Sequence, residues 1–282
     1  MTWAMRRILV TVKAAPITTK NHGECICTAG ITDEGEFIRV YPVPLQLWKE
    51  GKGFKKFDWI EVECEESTDE ILERKESHHL KSNSPIKIID RSLSTEREGG
   101  DWSGRNDVVL RLRAKSIETL KEDALNDRTS LGLIRVGQVF DFYKGGEMSD
   151  EEKGMKRLYQ AILDLEEGER PMVGKTWVLQ QMPHIFKYRF QCDDLGCPTH
   201  DMTCEDWEAF ESYRRWRSNY PDEDVLWQKM KQRYLNWMAG RDLHFFMGTH
   251  NRYGNWLIIG LYYPPKEVNE HAEEISTLDN YA

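Results

Sequence analysis

Apolar and polar positions alternate from Arg7 to Lys13 (RILVTVK), predicting a strand that Pro16 and the Thr-Thr-Lys-Asn-His-Gly stretch end. Glu24 to Gly30 and Glu36 to Tyr41 form the next two predicted strands, joined by a turn at Asp33-Glu34-Gly35. From Asp58 to Cys64 the alternation puts Trp59 and Glu61 on one face and Ile60, Val62 and Cys64 on the other. Residues 65–107 are polar, with one clear strand over Ile86 to Ile89, and read as an ornate loop region or a substrate-facing insertion. Val108 to Arg113 alternates again, Ser116 to Asn126 is a helix with Ile117, Leu120 and Ala124 on one side, and Leu131 to Phe142 returns to strand.

Further along, Met155, Leu158, Ile162 and Leu165 recur at helical spacing within 150–166, and strands are expected over 175–181 and 187–191. Thr203 is expected to cap a helix running to about Ser218, with Asp206 three residues on, and Pro221 separates it from a second helix ending before Gly240. Leu243 to Thr249 and Asn255 to Tyr263 predict a hairpin closed by Pro264 and Pro265, and the end of the chain lacks periodicity. No internal repeat stands out.

Composition narrows the class. The 282 residues include ten Trp, eleven Tyr and ten Phe, far too many for a disordered chain. The longest apolar run, Trp256 to Leu261, is well short of a membrane span, and without a signal-peptide pattern a cytoplasmic location is the expectation. The net charge of −9 argues against an indiscriminate polyanion binder. Its source is local, however: residues 61–80, 151–170 and 261–282 hold 19 acidic against 7 basic groups, and the remainder is +3.

The sharpest chemical signal is Cys192-x4-Cys197-x2-His200-x3-Cys204. Thiolates and imidazole on a Gly/Pro-containing turn suit tetrahedral zinc, and Cys204 would stand in the first turn of the helix capped by Thr203, where a thiolate is favoured. Incidental cysteines in a polar loop, or a redox role, are the other readings. If Cys204 merely packs, His184, His244, His250 or a water would have to complete the shell. Cys25, Cys27 and Cys64 read as buried free thiols.

An aromatic and basic run follows: Trp207, Phe210, Tyr213, Arg214, Arg215, Trp216 and Arg217, then Trp227, Lys229, Lys231, Arg233, Tyr234 and Trp237. Such interleaving serves single strands and phosphates, although rings at three-residue spacing also simply bury one helix face. Near the N-terminus, Arg39 and the lysines 49, 52, Lys55 and Lys56 suggest the basic rim of a small OB-like or PUA-like barrel. No phosphate-binding loop, GxGxxG, HExxH or GxSxG is present. Glu61, Glu63, Glu65 and Glu66, or His250 with Asn251, leave a metal-dependent nuclease or nucleotide hydrolase open.

The strings GECICTAGITDEGEFIRVYPVP, FKKFDWIEVE, YRFQCDDLGCPTHDMTCEDWE and DLHFFMGTHNRYGNWLIIGLYYPP resemble a family of uncharacterised bacterial proteins of similar length. The resemblance spans most of the chain. It implies one integrated unit, a link to mobile or defence-related DNA, and no catalytic residue.

The sequence therefore predicts an α+β protein. A β-rich, OB/PUA-like half over 1–145 would join a helical and β-hairpin region over 146–266, followed by an acidic tail over 267–282. Structural zinc would be held by Cys192, Cys197, His200 and Cys204. The expected function is nucleic-acid binding (DNA-binding included) through Arg39, Lys55, Lys56, Arg214, Arg215 and Arg217. A metal-dependent hydrolase, or a subunit whose aromatic helix face meets a protein partner, are the alternatives; no membrane association is expected.

Overall fold

The computed structural model describes residues 2–14, 17–19, 23–45, 47, 53–67, 74–82, 84–95, 101–145, 184–250 and 254–266. The expected helix over 150–166, strand over 175–181, acidic tail and lysines 49 and 52 lie outside the described residues.

Alternation in the first 65 residues produces a long opening strand, β1 (Ala4–Lys13), with antiparallel partners on both edges, β3 (Gly23–Thr32) and β5 (Trp59–Glu66). β3 pairs antiparallel with β4 (Phe37–Pro44), across a turn in which Gly35 takes φ 84°, open to glycine without strain. β4 then pairs parallel with β6 (Ser77–Leu80), which returns antiparallel to β5 and closes a five-stranded barrel. Two short strands lie outside the ring: β2 (Ile17–Thr19) on β3 and β7 (Lys87–Asp90) on β5. Ile8, Val10, Ile26, Ile38, Val40, Ile60, Val62 and Cys64 point inward and fill it. On β5 this is the Ile60, Val62 and Cys64 face that the alternation separates from Trp59 and Glu61.

Of residues 108–113, expected as a strand, 108–112 instead continue helix α1 (Trp102–Val109) into a 3-10 turn (Leu110–Leu112), and only Arg113 is in a strand. Asp101 accepts a hydrogen bond from the Gly104 amide and starts the helix, and Val109 buries between the two halves of the molecule. A capped helical turn can bury the same apolar residues as an alternating strand.

A second barrel follows. After the two-residue strand β8 (Arg113–Ala114) and helix α2 (Ile117–Asp127), the strand β9 (Leu131–Lys144) pairs antiparallel with β10 (Phe186–Cys192) and β12 (His244–Thr249). β10 pairs antiparallel with β11 (His200–Cys204), β11 parallel with β13 (Trp256–Tyr262), and β13 antiparallel with β12. In both barrels the ring runs first, second, third, fifth, fourth and back to the first, with the third and fifth strands parallel. That order is the OB barrel, here twice over. β9, grouped with the N-terminal half by the expected boundary at 145, is the first strand of the second barrel.

Helices α3 (Trp207–Asn219) and α4 (Glu223–Lys231), with a π stretch over Gln232–Trp237, connect the third and fourth strands of the second barrel. Ala209, Tyr213, Leu226, Met230 and Tyr234 bury against Phe186, Tyr188 and Phe245. The barrels touch along outward-facing apolar positions, Leu9, Val12, Ala29 and Ile31 meeting Leu131, Leu133, Phe246 and Ile259. No described helix is long and apolar enough to cross a membrane.

Candidate metal centre and nucleic-acid surface

Ser116 caps α2 by accepting from the Thr119 amide, which puts Glu118 in the first turn. That turn abuts the β10–β11 hairpin, where the structure gathers Glu118, Cys192, Cys197 and His200 with one ligand atom each, all within 4.8 Å of one another. Cys197 Sγ lies 3.1 Å from His200 Nε2 and 3.8 Å from Glu118 Oε2, and His200 Nε2 is 3.7 Å from that oxygen. A tetrahedral ion with bonds of about 2.0–2.3 Å would space its ligands about 3.3–3.8 Å apart, close to the 3.1–3.8 Å among Cys197, His200 and Glu118.

Local backbone supports the cluster. A Cβ on Gly137 of β9 would meet the Cys192 carbonyl oxygen at 2.9 Å, so glycine permits the close approach of the hairpin base. Burial pushes the Cys192 thiol up to about 12, against a pull downward from the Ile117 amide at the start of α2. Burial likewise lowers the His200 pKa, opposed by Glu118, which keeps the ring neutral and able to ligate. The Glu/Cys/Cys/His set could therefore hold a metal ion.

Cys204 is not part of it. The helix expected to start at Thr203 starts after Asp206, whose carboxylate accepts from the Ala209 amide. Thr203 and Cys204 thus end β11, and Cys204 points into the barrel core, where burial raises its thiol pKa. Glu118 takes the fourth position. His184 instead bonds Glu223 at 2.9 Å, and His244 Nδ1 meets the Asp242 carbonyl at 3.0 Å. His250 follows β12 at the hairpin, its amide donating to the Asn255 carbonyl, while Asn251 is outside the described residues.

Two expected phosphate contacts are also corrected. Arg39 is 4% exposed and bonds the Ser130 side chain and carbonyl, both at 3.1 Å, joining one barrel to the other. Lys56 is buried, donates to the Leu261 carbonyl at 3.0 Å and pairs with Asp206 at 3.6 Å and Glu208 at 3.5 Å. Burial alone would lower its pKa, but the two carboxylates outweigh this and raise it. Neither cation can reach a phosphate. Lys55 is exposed; Arg214 is held by Glu211 through two bonds of 3.0 and 2.7 Å; Arg215 and Arg217 face solvent on α3.

The ring face of α3 is largely spent in packing, with Tyr213 buried and Phe210 and Trp216 half-buried against the core. On β5, Glu63 pairs with Lys81 at 2.6 Å and Glu61 with Lys87 at 3.8 Å, so these carboxylates form a paired outer face and not a converging acidic cluster.

Rings and cations do alternate where the π stretch reaches the surface. The Arg233 guanidinium lies 3.7 Å from the Trp237 ring centroid and 5.5 Å from that of Tyr263, and Arg241 lies 5.0 Å from Trp237. Arg241 is itself fixed by a bond from Nε to the Tyr263 carbonyl, and Trp237 remains 41% exposed. Arg233 and Trp237 stand out in the sequence, whereas Arg241 and Tyr263 carry no local signal linking them to this surface.

No curated protein matches the chain. A solved structure described as "Structure and Conformational Change of a Replication Protein A Heterotrimer Bound to ssDNA" aligns with 99% of this chain and 53% of its own, at 8% identity and a TM-score of 0.36. The chain spans about half the length of that structure's chain. A family of unknown function, DUF8758, matches residues 4–111, which takes in the first barrel. A second, DUF8757, matches residues 113–281, more than half of the sequence, and the chain belongs to this family of unknown function.

Proposed function

We propose that this protein binds single-stranded nucleic acid and carries a structural zinc ion on Glu118, Cys192, Cys197 and His200. The observation that carries the binding reading is Trp237, a 41% exposed ring with the Arg233 and Arg241 guanidinium groups 3.7 and 5.0 Å from its centroid. Ordered rings serve as stacking platforms for bases, and adjacent cations attract the backbone and release its counterions. Barrel topology alone would not license a function. It does supply a rigid frame, and the outward face of β10 adds the exposed Arg189.

The test is fluorescence polarisation with labelled single-stranded DNA and RNA over a salt series. Affinity is expected to fall linearly with log salt, and Arg215→Glu with Arg217→Glu is expected to weaken binding to all sequences alike. Absence of binding at about 50 mM salt would sink the reading. Loss on Arg189→Glu, with no effect of the α3 pair, would move the surface to the strand face.

A further inference from the structure

Beside Trp237 the surface sinks into a cleft of about 390 Å³, lined by Trp216, Asn219, Tyr220, Lys229, Gln232, Arg233 and Trp237. We infer that this cleft is a nucleotide pocket that accepts one unpaired base together with an adjoining phosphate. The inference deepens the nucleic-acid reading and rests on it.

The chain builds the cleft from two directions. Trp216 and Tyr220 lie four residues apart at the end of α3, where the Tyr220 amide closes the helix on the Trp216 carbonyl at 2.8 Å. Lys229, Gln232 and Arg233 follow at three- and four-residue spacing along α4 and into the π stretch, and Lys229 Nζ is 3.5 Å from Gln232 Oε1. The wider π turn brings Gln232, Arg233 and Trp237 to one face, a distortion that recurs at binding sites.

The lining then selects the ligand class. The rings of Trp216, Tyr220 and Trp237 line the cleft, with Lys229 Nζ 5.9 Å from the Tyr220 centroid and Arg233 3.7 Å from that of Trp237, so a flat partner would stack beside these cations or in their place, and two side-chain amides offer donors and acceptors to a base edge. Lys229 and Arg233 are the charged groups of the lining, and it includes no carboxylate, so an anion is favoured and a cationic ligand repelled. Flat, amide-compatible and anionic together describe a nucleotide. The volume falls within the roughly 300–1,000 Å³ of small-molecule sites.

Calorimetry of the full chain with nucleoside 5′-monophosphates, with ribose 5-phosphate as the base-free probe, tests this directly. Monophosphates are expected to bind at least ~10-fold more tightly than ribose 5-phosphate, with Trp237→Ala losing that advantage and Trp237→Phe retaining most of it. Lys229→Gln is expected to reduce the salt slope for a single strand by about 1. Equal affinity for ribose 5-phosphate, or nucleotide binding unchanged in Trp237→Ala, would overturn the pocket. Single strands binding while mononucleotides do not would overturn it too, yet leave the broader reading standing; failure of both ligands removes both. Unchanged melting temperatures in the variants exclude unfolding as the cause of any loss.

Discussion

Cys197 and Cys204 are both buried thiols, yet one faces His200 Nε2 at 3.1 Å and the other faces apolar core. Cys197→Ser is therefore expected to abolish bound zinc, measured as metal per chain by mass spectrometry, and to lower stability by several kcal/mol through the lost ion. Cys204→Ala is expected to leave the metal content at one and cost about 1 kcal/mol of packing. Lys56 makes a second contrast, because its carboxylate partners are themselves placed by structure: Asp206 caps α3 and also accepts from the Leu261 amide at 3.1 Å. Lys56→Ala is expected to cost about 3–5 kcal/mol in urea unfolding, since it strands a buried carboxylate, whereas Arg215→Ala should cost under about 1 kcal/mol. Cys192, Cys197 and His200 were legible from spacing alone. Glu118 was not, because 74 residues separate it from Cys192 and only closure of the second barrel brings α2 to the hairpin. Arg39 and Lys56 looked like rim cations because their partners, Ser130 and Asp206, are likewise remote in sequence.

Elements were most legible where alternation had one solvated face, as in β5, and least where it met a second apolar surface. Val108 to Arg113 reads as a strand because Leu110 and Leu112 alternate with Arg111 and Arg113, but α1 and the 3-10 turn pack Val108, Val109, Leu110 and Leu112 against the other barrel. Spacing put Cys204 into the expected zinc shell, and the helix start expected at Thr203 supported that placement; the actual start after Asp206 removes the support. The proposed metal site would also couple elements: the start of α2 and the β10–β11 hairpin meet through the four donors and an ion pair between Lys115, just before α2, and Asp194 at 3.2 Å. Chelation is expected to speed amide exchange over 117–127 and 190–200 while leaving β1, β3 and β4 as protected as before, read by hydrogen-exchange mass spectrometry. Uniform acceleration across both barrels would show that the ion supports global folding and not this junction.

At the scale of the whole molecule, Lys13 of the first barrel sits over Trp207 of the second, its Nζ 5.0 Å from the ring centroid. Burial lowers its pKa to about 8, opposed chiefly by Glu208. Between pH 8 and 10.5 the unfolded chain holds this proton and the folded chain has released it, so this group makes stability rise with pH across that window. Lys13→Met is expected to flatten the rise in unfolding free energy over the same window; an unchanged slope would place the proton linkage elsewhere. The two sequence families divide the chain between residues 111 and 113, but Arg39, Lys56 and Lys13 all find their surroundings across that division. Each barrel has thus become part of the other's chemical environment. A hybrid gene joining one relative's first barrel to another's second inherits half of each buried pair, so the halves must exchange residues in concert. Lineages of this protein should show correlated replacement at positions 39 and 130, and at 56 and 206, long after the rest of the two surfaces has drifted apart.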